Sequence, residues 1–202
     1  MSDAARLAAE AVRVYRRYAV EVVEGFGFCP YAERARLEGR TREVPILDAE
    51  PGDDDVLAIV ERLADDPAVE IGLVIFPAMT MPRVPLGRWV ERLRKAHAAA
   101  RGGRPRMAIE GFHPDAEPDA STPDRLTPFV RRTPDPTLQL TRLAALERVR
   151  RGSPEGTAFV DPAALDLAAL AALERAPLHE RIAERNHQTV RALGAEAVRG
   201  AK

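Results

Sequence analysis

The sequence has little of what marks disulfide-bonded, membrane or nucleic-acid-binding proteins. One cysteine among 202 residues excludes an internal disulfide and favours a reducing compartment. No uncharged run reaches the roughly 20 residues that span a bilayer, and the first ten residues do not resemble a signal peptide. The formal net charge of -1 attracts neither nucleic acid nor an anionic membrane surface. We therefore expect a cytoplasmic protein that binds no nucleic acid and no membrane.

Sequence signatures of common cofactor and metal sites are absent as well. The patterns HExxH, CxxC, Walker A and GxGxxG do not occur. Cys29, His113 and Asp115 lack the local spacing of metal ligands, so no metal site is predicted and the cofactor is unknown. The dipeptide Cys29-Pro30 leaves one further alternative, a thiolate that ligates haem iron.

What the sequence does have is an apolar fraction of 46% and an alternation of strand and helix patterns. Strand patterns cover residues 42–47, 69–76, 107–112 and 157–160, and long helical patterns cover residues 4–24 and 137–150. This alternation predicts a single α/β domain over residues 1–202, with a mostly parallel sheet of about four strands flanked by helices. Residues 69–76 are almost continuously apolar, which predicts a central strand.

Two further segments are organised differently. Residues 113–136 are rich in proline and show little periodicity, which is typical of a functional or disordered loop. Residues 163–194 carry two helical patterns and are predicted to form a C-terminal helical pair.

Three residues are candidates for catalysis. Cys29 follows a helix end and would be a nucleophile if a neighbouring cation lowered its pKa; the alternative is a small buried apolar residue. His113 follows the predicted strand 107–112, where ligands collect in open α/β sheets, and could act as a general base oriented by Asp115. The alternative for His113 is a capped loop residue.

Polar side chains on predicted apolar helix faces are candidates for a binding pocket. Arg142 and Asn186 each lie in the middle of the apolar face of a predicted helix. We therefore expect them to meet at the floor of a polar pocket or to be buried structural residues that pair with nearby polar groups. Arg131 and Arg132 have the guanidinium geometry that binds carboxylate or phosphate, although paired arginines are also common on solvated surfaces.

Five short motifs resemble, in order, those of the bacterial domain of unknown function 1415 family over about residues 10–194. They are Gly27-Phe28-Cys29-Pro30-Tyr31, Phe112-His113-Pro114-Asp115, Arg132-Thr133-Pro134-Asp135-Pro136, Leu138-x-Leu140-x-Arg142 with Glu147-Arg148, and Glu184-Arg185-Asn186. The resemblance marks Cys29, His113, Arg132, Arg142, Glu147 and Asn186 as matching polar positions and implies no reaction. The alanine-rich residues 163–176 depart from the family pattern.

Two functions are compatible with these candidates. The first is an enzyme that acts on a small anionic metabolite, a carboxylate or phosphate, with an arginine-lined pocket and chemistry by Cys29 or His113. The second is a noncatalytic small-molecule binding module in which the same arginines and Asn186 hold the ligand and Cys29 is core packing. The sequence leaves the oligomeric state unknown.

Overall fold

A computed structural model of the chain describes residues 2–29, 31–152 and 178–200. Its strands are β1 (Thr41–Pro45), β2 (Ile71–Ile75), β3 (Met107–Phe112) and β4 (Thr137–Arg142). Its helices are α1 (Asp3–Tyr18), α2 (Ala32–Leu37), α3 (Asp53–Asp65), α4 (Arg83–Ala100), α5 (Pro123–Val130), α6 (Leu143–Gly152), α7 (Leu178–Leu193) and α8 (Ala195–Gly200). A π-helical turn, Ala19–Glu24, continues α1.

The four strands form one mixed sheet in the order β1-β2-β4-β3. β1 and β2 are parallel, whereas β4 runs antiparallel to both β2 and β3. The α/β class is therefore confirmed, but the expectation of a mostly parallel sheet is wrong. The reason is the connection from β3 to β4: Phe112 pairs with Thr137, so the chain re-enters the sheet at the same end at which β3 leaves it.

Each face of the sheet packs against its own set of helices. On one face, Val74, Leu138, Leu140 and Ile109 pack with apolar residues of α3 and α4, among them Trp89. On the other face, Ile71, Leu73 and Ile75 of β2 pack with residues of α1, the π-helical turn, α5 and α7. All five residues of β2 are buried, which confirms the predicted central strand.

Two predicted segments differ in the structure. Residues 137–150 form a strand and a helix rather than one helix, because Thr137, Gln139 and Thr141 alternate with Leu138 and Leu140 at the two-residue period of a strand. The predicted loop 113–136 contains α5, which begins where the Thr122 side chain accepts a hydrogen bond from the Arg125 backbone N–H and Pro123 occupies the first helical position.

The remaining sequence predictions concern the C-terminal part of the chain, of which the structure describes residues 178–200. The last predicted helix is confirmed as α7. The predicted strand 157–160 and the first helix of the C-terminal pair lie outside the described residues. Among the helices described here, none has the length and apolarity that would let it cross a membrane.

Candidate functional site

A cavity of ≈ 570 Å³ lies on the sheet face that is covered by α1, the π-helical turn, α5 and α7. Its floor consists of two rows of side chains that cross all four strands. Thr41, Ile71, Thr141 and Ala108 are aligned in one row, and Glu43, Leu73, Gln139 and Glu110 form the next. Side chains on one sheet face recur every second residue, so each strand contributes two floor residues.

The polar floor of the cavity is unusual because β4 is an interior strand of the sheet. Gln139 and Thr141 are half-buried, and the Gln139 amide donates a hydrogen bond to the Thr141 hydroxyl at 3.1 Å. The Gln139 carbonyl oxygen and the Thr141 hydroxyl hydrogen have no partner within the described part of the chain. Polar groups under a covering layer of helices cost free energy unless something pairs with them. These two groups are therefore available to a molecule in the cavity.

Tyr15 contributes another unpaired polar atom. Its side chain is buried and lines the cavity, and no hydrogen bond to its hydroxyl occurs among residues 2–29, 31–152 and 178–200. Burial, followed by the charges of Tyr18, Cys29 and Glu43, raises the pKa of the Tyr15 hydroxyl well above its ordinary value. The hydroxyl keeps its proton at any physiological pH and can donate a hydrogen bond to a ligand.

The wall of the cavity is built from irregular backbone. Ala19, Val23 and Glu24 of the π-helical turn line it, and wide helical turns of this kind occur frequently at functional sites. Asn186 of α7 is buried against the opposite side and donates from Nδ2 to the Phe28 carbonyl at 3.3 Å. This bond fixes the loop that carries Cys29 to the C-terminal helix.

Three arginines at the cavity are each paired with a glutamate. Arg16 contacts Glu43 at 2.9 Å and Arg36 contacts Glu24 at 2.7 Å, and both glutamate side chains are largely buried. The third pair is looser, because the Arg131 guanidinium lies 3.7 Å from Glu110 and that carboxylate is also held by Arg94 at 2.8 Å.

Arg131 is consequently the guanidinium most available to a ligand. Its central carbon lies 5.5 Å from the centroid of the Phe112 ring, and its side chain is 42% exposed. Of the three arginines that were predicted to bind the anionic ligand, Arg131 lines the cavity, whereas Arg132 and Arg142 do not; the Arg132 guanidinium lies over the Phe129 ring at 5.7 Å.

Cys29 lines the cavity, but its surroundings do not activate it. Burial raises the pKa of the Cys29 thiol, and hydrogen bonds from the backbone N–H groups of Tyr31 and Ala32 only partly oppose that increase. The thiol is therefore protonated at neutral pH, whereas a nucleophilic cysteine needs a thiolate.

His113 and Asp115 lie outside the cavity lining. The His113 ring is buried, its Nε2 donates to the Met81 carbonyl at 3.0 Å, and its Nδ1 accepts from the Asp115 backbone N–H at 3.0 Å. The Asp115 carboxylate lies 3.8 Å from Nδ1 and is 80% exposed. The hydrogen bonds of the two ring nitrogens thus connect the loop that contains Met81 to the loop that follows β3. This arrangement corresponds to the alternative of a capped loop histidine.

Arg142 is not at the floor of the cavity, and it does not meet Asn186. It is the last residue of β4, and its side chain lies on the opposite sheet face from Thr141. Its guanidinium donates to the carbonyls of Val69, Asp66, Ala64 and Leu63 at 2.6, 2.5, 3.2 and 3.3 Å, around the end of α3. The expectation of a shared pocket is therefore wrong, because residue 142 belongs to a strand rather than to a helix.

The other predicted position, Glu147, is exposed on α6 and does not line the cavity. Sequence reasoning missed Tyr15, Glu43, Glu110, Gln139 and Thr141. The usable signal was the alternation in Thr137–Arg142, which places two polar residues on one face of an otherwise apolar strand. In the described ranges, no group of three or more histidine, cysteine, aspartate or glutamate side chains could hold a metal ion.

The surroundings of Cys29 predict slow alkylation. Because the reactive form is the thiolate and the pKa is raised, iodoacetamide at pH 7.5 should modify native Cys29 at least tenfold more slowly than it modifies glutathione. The substitution His113→Ala should leave that rate unchanged. A rate that exceeds that of glutathione and falls in His113→Ala would restore the pair as candidate catalytic residues.

Comparison with known proteins gives a family and no characterised relative. The family model described as "Protein of unknown function (DUF1415)" matches residues 10–161. No curated protein and no solved structure matches the chain. The matched residues include the Cys29, His113 and Arg132 motifs and β4, and they end before Asn186. Because this match covers most of the 202 residues, the chain belongs to the DUF1415 family.

Proposed function

We propose that the protein binds a small molecule in the sheet cavity and that the ligand carries a carboxylate or phosphate group on an apolar body. The observation that carries this proposal is that the Gln139 carbonyl oxygen and the Thr141 hydroxyl hydrogen, at the floor of a 570 Å³ cavity, have no hydrogen-bond partner among the described residues. Small-molecule sites typically have volumes of about 300–1,000 Å³ and combine apolar walls with a few polar groups that orient the ligand.

The charges of the lining suggest where the anionic group binds. Arg16 and Arg36 are each committed to one nearby carboxylate, whereas Glu110 is shared by Arg94 and Arg131. The Arg131 guanidinium can therefore bind an incoming anion without leaving a buried carboxylate unpaired. The apolar body of the ligand would pack against Ile71, Leu73 and Val130.

Binding without catalysis is better supported than an enzyme. The Cys29 pKa is raised rather than lowered, and His113 is held by backbone groups outside the cavity. We place the protein in the cytoplasm of a bacterium, on the ground of its lone cysteine and of the family that its motifs resemble.

A fluorescent anion provides the test. The probe is 1-anilinonaphthalene-8-sulfonate, which combines an aromatic body with one sulfonate, and we expect saturable binding of one molecule per chain. Arg131→Ala should weaken binding about tenfold, because one charge-assisted hydrogen bond is lost. The matched control is Arg132→Ala, which removes the neighbouring guanidinium outside the cavity. Equal affinities of the wild type and Arg131→Ala would contradict the assignment of Arg131.

A further inference from the structure

A second cluster of arginines surrounds a buried glutamate at the start of β2. The Glu70 cluster consists of Glu70, immediately before β2, together with Arg34 of α2, Arg40 before β1 and Arg148 of α6. Arg34 Nη2 donates to Glu70 Oε2 at 2.7 Å, Arg40 Nε lies 2.9 Å from Oε1, and Arg148 Nη2 also donates to Oε1. The Glu70 carboxylate is only 5% exposed.

The positive charge in the cluster is not balanced. Three guanidinium groups face one carboxylate, and no other carboxylate of the described residues forms an ion pair with them. An excess of two positive charges therefore remains at this surface.

The guanidinium groups retain donors that can reach an anion from solvent. The side chains of Arg34, Arg40 and Arg148 are 44%, 33% and 57% exposed. Each guanidinium has five N–H donors in a planar fork, and the buried carboxylate can occupy only some of the fifteen or so in the cluster. Glu70 thus holds three cations together and neutralises only one of the three charges.

The cluster is separate from the cavity. Ala32 and Arg36 of α2 line the cavity, and Arg34 lies two positions from each of them. Side chains two positions apart on a helix are separated by roughly 160° around its axis. Arg34 therefore projects from the other side of α2. The same spacing separates Arg148 from the cavity residue Leu146 on α6.

We propose that the Glu70 cluster is a second binding site, which takes a dianionic phosphate group through the outward N–H donors of Arg34, Arg40 and Arg148. Guanidinium pairs bind phosphate bidentately, and a dianion compensates the excess of two positive charges. The phosphate comes from inorganic phosphate or from a small phosphomonoester, and both present the same three oxygens.

Calorimetric titration tests this site directly. Inorganic phosphate and glycerol 3-phosphate are titrated separately into the wild-type protein at pH 8 in low-chloride buffer, and at least one should bind with a Kd of about 1 mM or lower. Arg34→Ala and Arg148→Ala should each weaken binding about tenfold. Tighter binding of the ester would identify a phosphomonoester as the ligand, and equal binding would identify free phosphate.

Glu70→Gln distinguishes a phosphate site from a purely structural ion network. Removing the carboxylate charge should tighten phosphate binding about three- to tenfold, because an anion no longer faces a carboxylate. Glu10→Gln is the control, since it removes a negative charge beside Arg13 on the exposed face of α1 and should change Kd less than twofold.

Three results would overturn the proposal: no saturable binding of either compound up to 20 mM, an unchanged Kd in both arginine variants, or no tightening in folded Glu70→Gln. If Glu70→Gln does not fold, the Kd values of Arg34→Ala and Arg148→Ala alone distinguish a phosphate site from a purely structural ion network. Sulfonate binding in the cavity is measured separately, so the failure of one site does not imply the failure of the other.

Discussion

Arg142→Ala is expected to lower the free energy of unfolding by about 3–5 kcal/mol. The Arg142 guanidinium donates to four carbonyl oxygens at the end of α3 and in the turn before β2. The last carbonyls of a helix have no partner within the helix, and a cation at that end also complements the helix dipole. Alanine would remove the side-chain donor from all four carbonyls beside the apolar core around Leu63 and Val69, and of these the Asp66 carbonyl would still accept from the Val69 N–H.

Chemical denaturation with a fluorescence readout measures this effect. The denaturant concentration at the midpoint of unfolding should fall, while the slope of the unfolding free energy against denaturant concentration stays constant. This combination identifies a change in stability alone. Arg13→Ala is the matched control, because its guanidinium forms only an exposed pair with Glu10 and should change stability by less than about 1 kcal/mol. A loss below about 1 kcal/mol in Arg142→Ala would contradict the assigned role.

Arg142→Ala also shows whether Arg142 contributes to ligand binding as well as to stability. Because Arg142 lies on the sheet face opposite the cavity, the folded variant should bind the sulfonate probe with wild-type affinity. This expectation is the reverse of the one that follows from sequence periodicity, which placed Arg142 in the ligand pocket.

Local patterns in the sequence were sufficient to predict several elements. The apolar run 69–76 identified β2 because a strand covered on both faces has no polar side, and residues 107–112 identified β3. The direction of β4 was not predictable in this way. It depends on where residues 113–136 re-enter the sheet, which is a property of tertiary packing rather than of local periodicity.

The error at residues 137–150 arose from a coincidence of periods. Leu138, Ala145, Leu146 and Val149 fall on one helical stripe, although the boundary between β4 and α6 separates the first of them from the others. The strand period inside Thr137–Arg142 was the correct signal, but six residues are too few to outweigh a longer apparent stripe. That error moved Arg142 into the predicted pocket and removed Gln139 and Thr141 from it.

Only part of the candidate site could be predicted from the sequence. Cys29, Arg131 and Asn186 were singled out from sequence, and the structure brings them to one cavity. Tyr15 falls inside the helical pattern 4–24, which by itself predicts only packing; the tertiary structure places its side chain at the cavity, where its hydroxyl has no hydrogen-bond partner among the described residues. Glu43 and Glu110 reach the cavity through strand pairing across the sheet, which the sequence does not specify.

Ala108→Trp is expected to block the cavity and abolish ligand binding. Ala108 lies on the floor beside Thr141, so the indole ring would occupy the space assigned to the ligand. The control is Ala99→Trp, which adds the same ring to an exposed position of α4 on the other side of the sheet.

The measurement is fluorescence titration of both variants with 1-anilinonaphthalene-8-sulfonate, after circular dichroism has confirmed that each is folded. Ala108→Trp should weaken binding about 100-fold or more, which corresponds to about 2.7 kcal/mol, and Ala99→Trp should retain the wild-type Kd. An unchanged Kd and stoichiometry in folded Ala108→Trp would contradict a binding site in the sheet cavity.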